Sequence, residues 1–229
     1  MKRLILASAS PRRKEILSKT GLEFEIIVSD CDENIDEKQP DKLVMELSKL
    51  KASDIASKNP DALVIGADTV VSHKGLIMGK PKTREEAIKM IQNFADDIHQ
   101  VYTGITLIIP ATTENENEQA VVKEKIQKTL EDFEKRYGKK ISYSISEDSD
   151  AYSGKHLTVT YNVCTDVHVL PMTEEEICRY VDTGEPMDKA GAYAIQGMFA
   201  PYISKIDGDY YNVVGLPISS VYSVLKEFV

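Results

Sequence analysis

An α/β fold is predicted by three observations. Short apolar runs alternate with helical patterns through the first 110 residues, the same alternation returns in the last third, and capping residues or prolines head the helical patterns. Leu4 to Ala7 is a short apolar run and reads as a strand. Ser10 can cap and Pro11 suits the first helical position, so a helix follows through Ile16 and Leu17 and stops near Gly21. Residues 24–28 read as a second strand. Pro40 starts a longer helix in which Leu43, Leu47, Leu50 and Ile55 keep helical spacing. Residues 62–66 form a short apolar strand that runs into Ala67, Asp68 and Thr69, which puts Asp68 at a strand end. Residues 70–72 and 76–78 flank His73-Lys74-Gly75, a hairpin signal. Thr83 with Glu86 makes a capping box for a helix through Met90 and Ile91, and 98–109 is β-rich.

Residues 111–155 break this grammar. They open on the polar, acidic TTENENEQ and close on the loop-like SEDSDAYSG. Between these, Val122, Ile126, Leu130, Phe133 and Tyr137 recur at helical spacing, an amphipathic helix. The expectation is a single domain over 1–229 in which 111–155 is an inserted, solvated decoration. In the last third, 157–170 is β-rich, and Thr173 with Glu176 caps a helix that ends before Gly184. Residues 203–206 and 210–214 around Asp207-Gly208-Asp209 read as a hairpin, and Pro217 begins a terminal helix carrying Val221, Val224, Leu225 and Phe228.

The 229 residues are 42% hydrophobic and 28% charged, a globular composition. Acidic residues outnumber basic ones by 37 to 28, for a net charge of -9, which argues against a broad basic face for nucleic acid but not against a local basic pocket. No run approaches the roughly 18 apolar residues of a membrane span, so no membrane partner is expected. The run Leu4 to Ala7 is too short for the apolar region of a signal peptide. Three cysteines without a CxxC pair fit a reducing cytoplasm.

The chemistry-bearing residues gather in a few places. In Ser8 to Arg13, SASPRR, a strand feeds a helix start, whose free N–H groups attract anions. Arg12 and Arg13 oppose the dipole of that helix, which makes sense if a polyanion such as a phosphate arrives; two solvent-facing arginines are the alternative. Asp30, Asp32, Glu33 and Asp36 crowd a loop, and Asp68 follows the apolar VIGA run. Carboxylates near strand ends suit Mg²⁺ or Mn²⁺, which can bridge phosphates and activate a water; for the loop alone, solvated charge is the alternative. Lys80 stands in GKP, between a permissive glycine and a rigid proline, as a phosphate contact. Lys51 lies on a lysine-rich helix and Lys189 among the small residues of DKAGAY. The Gln196 amide offers donor and acceptor together, matching the edge of a uracil or thymine ring, or else bonds a turn backbone. The four histidines show no metal spacing, and GxSxG, Walker A and GxGxxG patterns are absent, so a serine hydrolase or dinucleotide dehydrogenase is not indicated.

Taken together, the segments resemble the Maf family of nucleoside triphosphate pyrophosphatases. The resemblance rests on LASASPRRKEIL, DEN at Asp32 to Asn34, the LxxxKA pattern from Leu47 to Ala52, GADT at Gly66 to Thr69 and GKP at Gly79 to Pro81. It continues in YTG at Tyr102 to Gly104, GEPMDKAGAYAIQG at Gly184 to Gly197 and GDYYNVVGLP at Gly208 to Pro217. It implies a mixed central sheet flanked by helices, with two lobes around a cleft, and hydrolysis of a nucleoside triphosphate to monophosphate and pyrophosphate with a divalent metal. It further implies Asp68 as proton acceptor, with Ser8, Arg12, Arg13, Glu33, Lys51 and Lys80 around the triphosphate and metal, the latter held by Glu33 and Asp68. Arg12, Thr69 and Gln196 are similar to the dTTP/UTP branch, with Lys189 as a further substrate contact. A homodimer is implied only by the family. Two other readings remain open: a pyrophosphatase for modified or purine nucleotides, and an interaction protein acting on cell division.

Overall fold

The computed structural model describes residues 3–110, 116–139, 141–148 and 155–228. One mixed sheet organises them. Its strands β1 (Leu4–Ala7), β2 (Glu25–Ile26), β3 (Leu63–His73), β5 (Ile98–Pro110), β6 (Tyr143–Asp148) and β7 (His156–Val169) run in the order β2-β1-β3-β5-β7-β6. Two further strands, β4 (Leu76–Met78) and β8 (Ile203–Asp207), pair with β3 and β7. β1 runs parallel to β2 and β3, and the remaining pairs are antiparallel. The helices are α1 (Pro11–Ser18), α2 (Pro40–Lys58), α3 (Arg84–Phe94), α4 (Glu116–Tyr137), α5 (Glu174–Val181), α6 (Tyr210–Val214) and α7 (Ile218–Leu225). Among the described residues, no helix is long and apolar enough to cross a membrane.

α2 lies unusually close to the sheet because two glycines make room for it. A Cβ on Gly66 of β3 would stand 2.2 Å from the Ser48 carbonyl oxygen, and one on Gly104 of β5 would stand 2.0 Å from that of Val44. Any larger residue would force helix and sheet apart. Ser48 is fully buried there and shares a 2.9 Å hydrogen bond with Thr106. On the other face, α3, α4, α5 and α7 bury the larger core, which includes Ile91, Phe94, Leu130, Ile177 and Val221.

Five expectations give way. β3 continues without a break from Leu63 to His73, because β5 pairs with it from Val64 to Ser72; Asp68 is therefore within a strand, not at its end. The second strand shrinks to Glu25–Ile26, paired to β1 only at Ile5 and Leu6. Residues 210–214 form α6 rather than a strand, since Asp209 Oδ1 accepts from the backbone N–H of Tyr211 (2.7 Å) and Asn212 (3.2 Å) and caps a helix start. The segment after α4 enters the sheet as β6, against β7, where loop chemistry is expected from 146 onward. Nor is α4 a loose decoration: Ile126, Leu130 and Phe133 are buried in the main core, and the helix packs on α7. The predicted loop at 149–154 lies outside the described residues.

Candidate active site

The cleft follows from the pairing of β3. β1 covers its edge from Leu63 to Gly66, and β4 covers the same edge from Val71 to His73. Between them, no described strand pairs with residues 67–70 on that side. Neighbouring residues of a strand face opposite sides of a sheet, yet through this gap both Asp68 and Thr69 are reached from one cavity. They are also the two partly exposed positions in an otherwise buried strand. The cavity measures about 610 Å³, within the roughly 300–1,000 Å³ usual for ligand clefts.

On the α2 side, Lys51 Nζ donates to Asp68 at 2.6 Å and meets Glu33 at 2.9 Å. The Lys51 and Asp68 side chains are 13% and 14% exposed, against 52% for Glu33. The close seating of α2 on Gly66 and Gly104 allows this contact, so the glycines of the fold position the chemistry. On the opposite face, Arg13 is held at three points. Its Nε donates to the Gly215 carbonyl (2.9 Å), Nη1 to Ser8 Oγ (3.1 Å) and Nη2 to Thr69 Oγ1 (3.0 Å). Burial presses its pKa below the ordinary arginine value, and the charge of Asp68 opposes that shift. Thr69 shares a further 3.0 Å hydrogen bond with Thr103 of β5.

Arg12 and Lys80 line the same cavity with exposed side chains, and the half-buried Ser10, which caps α1 by accepting from the Arg13 N–H, lines it too. Gln196 is exposed on the far wall, in a turn closed by the Gly197 N–H to the Ala194 carbonyl. Lys189 also lines the cavity, ion-paired to Asp188. Of the residues expected at the site, Ser8 alone does not line it: it is buried and acts behind Arg13. Sequence reasoning missed Ser10 as a wall residue and the Gly215 carbonyl as the anchor of Arg13. Their signals were the cap position and the GLP turn.

Among the described residues, no three His, Cys, Asp or Glu side chains cluster as a metal cage. Glu33 and Asp68 are two carboxylates converging on one cation position, filled by the Lys51 ammonium. That donor set fits a hard divalent cation that takes one or two carboxylates and completes its shell from phosphate oxygens and water.

Comparison with known proteins identifies the family. The family model described as "Maf-like protein" matches residues 3–147 and 143–228. The chain belongs to the Maf family. A dTTP/UTP pyrophosphatase of Alkaliphilus metalliredigens is 44% identical over 229 residues, covering 99% of this chain and 96% of that protein. One of Lachnoclostridium phytofermentans is 40% identical over 229 residues, covering 100% and 96%. One of Thermoanaerobacter pseudethanolicus is 42% identical over 225 residues, covering 98% and 95%. The two matches to the Maf model meet at 143–147, inside the segment 111–155.

Proposed function

We propose that this Maf protein is a hydrolase that converts dTTP and UTP to the monophosphate and pyrophosphate. The observation that carries the reading is the gap along one edge of β3 at residues 67–70, which no described strand covers and which opens Asp68 to a cavity walled by Arg12, Arg13, Lys51 and Lys80. The names of the relatives supply the substrate.

The triphosphate lies along the cationic wall, where Arg12 and Lys80 are free to meet its oxygens and Arg13 is pre-set by its three acceptors. A water attacks the α-phosphorus. Asp68 takes its proton, the bond from that phosphorus to the α–β bridging oxygen breaks, and pyrophosphate leaves with the electron pair. Before a metal arrives, Lys51 holds Asp68 and Glu33 in place. Glu33 and Asp68 would hold Mg²⁺ or Mn²⁺ where the Lys51 ammonium now sits, and the metal would supply charge neutralisation at the phosphates and a more acidic attacking water. Gln196 reads the pyrimidine edge from the far wall, with Thr69 and Lys189 as further substrate contacts. The reading takes the chain as one domain with 111–155 inserted, places it with the nucleotide pool in the cytoplasm, and needs no nucleic acid. A homodimer would register by light scattering.

A panel of purine, pyrimidine and modified triphosphates, assayed with Mg²⁺ or Mn²⁺ and with EDTA, tests the reading. dTTP and UTP should be turned over fastest, with pyrophosphate as product and no activity in EDTA. A preference for purine or modified bases, free phosphate as product, or full activity in EDTA would overturn the corresponding part.

A further inference from the structure

The turn that carries Gln196 is built around a carboxylate outside the catalytic set. Glu185 follows α5 and Gly184, whose φ of 77° turns the chain back toward the cleft. Both Glu185 oxygens accept from the Met198 backbone N–H, at 3.1 and 3.0 Å, and Oε1 also accepts from Tyr180 Oη at 2.9 Å. Gly197 lets the two approach closely: a Cβ there would lie 2.1 Å from Glu185 Oε2, so a side chain would push the carboxylate away. The flanks of the turn are fixed as well. Ile195 and Phe199 are buried, and the Phe199 ring packs on Tyr180 and Tyr193 with centroids 5.0 Å from each. Tyr193 Oη in turn hydrogen-bonds the fully buried His99 at 2.7 Å. Gln196 is thus the exposed side chain of a turn whose backbone is clamped on both sides. Its amide makes no hydrogen bond to another described residue, so it faces the cavity uncommitted.

We infer that Glu185 is a positioning residue for base selection: it fixes the Gln196–Met198 backbone so that the Gln196 amide meets the pyrimidine edge in one orientation. An amide on a loose turn would match several base edges about equally well. A preorganised one discriminates, because a mismatched edge leaves buried polar groups unpaired. Glu185 touches neither phosphates nor the Asp68 centre, so its removal acts on base binding and not on the chemical step.

The inference rests on the reading of Gln196 given above, and the experiment separates the two. Glu185→Ala, Glu185→Gln, Gln196→Ala and the Glu185→Ala/Gln196→Ala double variant are assayed with dTTP and dGTP, with inorganic tripolyphosphate as a competitive inhibitor lacking a base. Glu185→Ala should raise KM for dTTP about tenfold, equivalent to about 1.4 kcal/mol. It should leave kcat within about twofold, cut the dTTP-over-dGTP ratio of kcat/KM, and leave tripolyphosphate inhibition unchanged. Glu185→Gln retains an acceptor for Met198 and should recover most of the selectivity. In the double variant, loss of Glu185 should add nothing to the loss from Gln196→Ala. If Gln196→Ala abolishes selectivity but neither Glu185 variant alters it, the positioning role is wrong and the Gln196 reading stands. If Gln196→Ala leaves selectivity intact, the Gln196 reading fails and the positioning role falls with it. A parallel loss of kcat and tripolyphosphate affinity in Glu185→Gln would make Glu185 a general support of the fold and overturn the inference.

Discussion

Replacing Asp68 by asparagine separates the chemical role of this residue from its place in the fold. The shape is kept, and what disappears is the charge facing Lys51 at 2.6 Å. Lys51 retains Glu33 at 2.9 Å, so its ammonium is not stranded. Removing one partner of a wholly buried pair costs roughly 3–5 kcal/mol. With a second carboxylate remaining and both side chains about one-seventh exposed, the expected loss is nearer about 1–2 kcal/mol. For a chain of this size that lowers Tm by about 2–8 °C. The catalytic loss is far larger. A positioned base contributes about 10²–10⁴-fold, equivalent to about 2.7–5.5 kcal/mol of barrier. Pyrophosphate release from dTTP, followed by a coupled assay well below the melting range, should therefore fall at least a hundredfold while the variant remains folded by calorimetry. Turnover within about tenfold of the parent would refute Asp68 as the proton acceptor.

Gly104→Ala places a methyl group against backbone, 2.0 Å from the Val44 carbonyl oxygen, where no rotamer change gives relief. The urea midpoint should fall by the equivalent of about 2–4 kcal/mol, and kcat should drop with it as α2 lifts and carries Lys51 away from Asp68. An unchanged midpoint would mean that α2 does not sit on the sheet as described. His99 is fully buried, and burial lowers its pKa to about 3. The unfolded chain binds its proton near pH 6.5 and the native state does not, so His99 leaves stability intact above that pH and erodes it as pH falls from about 6.5 toward 3. Urea midpoints between pH 7.5 and 4.5 should fall less steeply for His99→Phe than for the parent; parallel slopes would contradict a neutral buried imidazole.

Among the described residues, every helix but α6 was legible in the sequence, and three of them have starts written in local chemistry. Ser10 caps α1, Thr83 caps α3, and Thr173 with Glu176 forms a complete capping box. The site residues were legible as types, and all except Ser8 line one cavity. What local patterns could not convey was pairing. Nothing in VIGADTVVSH states that β5 will hold the whole segment as one strand, or that β1 and β4 will leave a gap opposite Asp68. The Tyr210–Val214 stretch has strand-like composition, and only the side chain of Asp209, turned onto two N–H groups, decides for a helix. Glu185 stayed hidden for a similar reason: its neighbours in sequence do not reveal that it will clasp Met198, thirteen positions on.

The cap at Asp209 also ties the end of α4 to the cavity wall. Its second oxygen accepts from Tyr137 Oη, in the last turn of α4, at 3.2 Å, and burial already raises the Asp209 pKa. The short helix that Asp209 starts ends at Gly215, whose carbonyl anchors Arg13. The far end of α4 thus works as a buttress: a chain trimmed of residues 111–155 would lose a strut two contacts away from the Arg13 guanidinium.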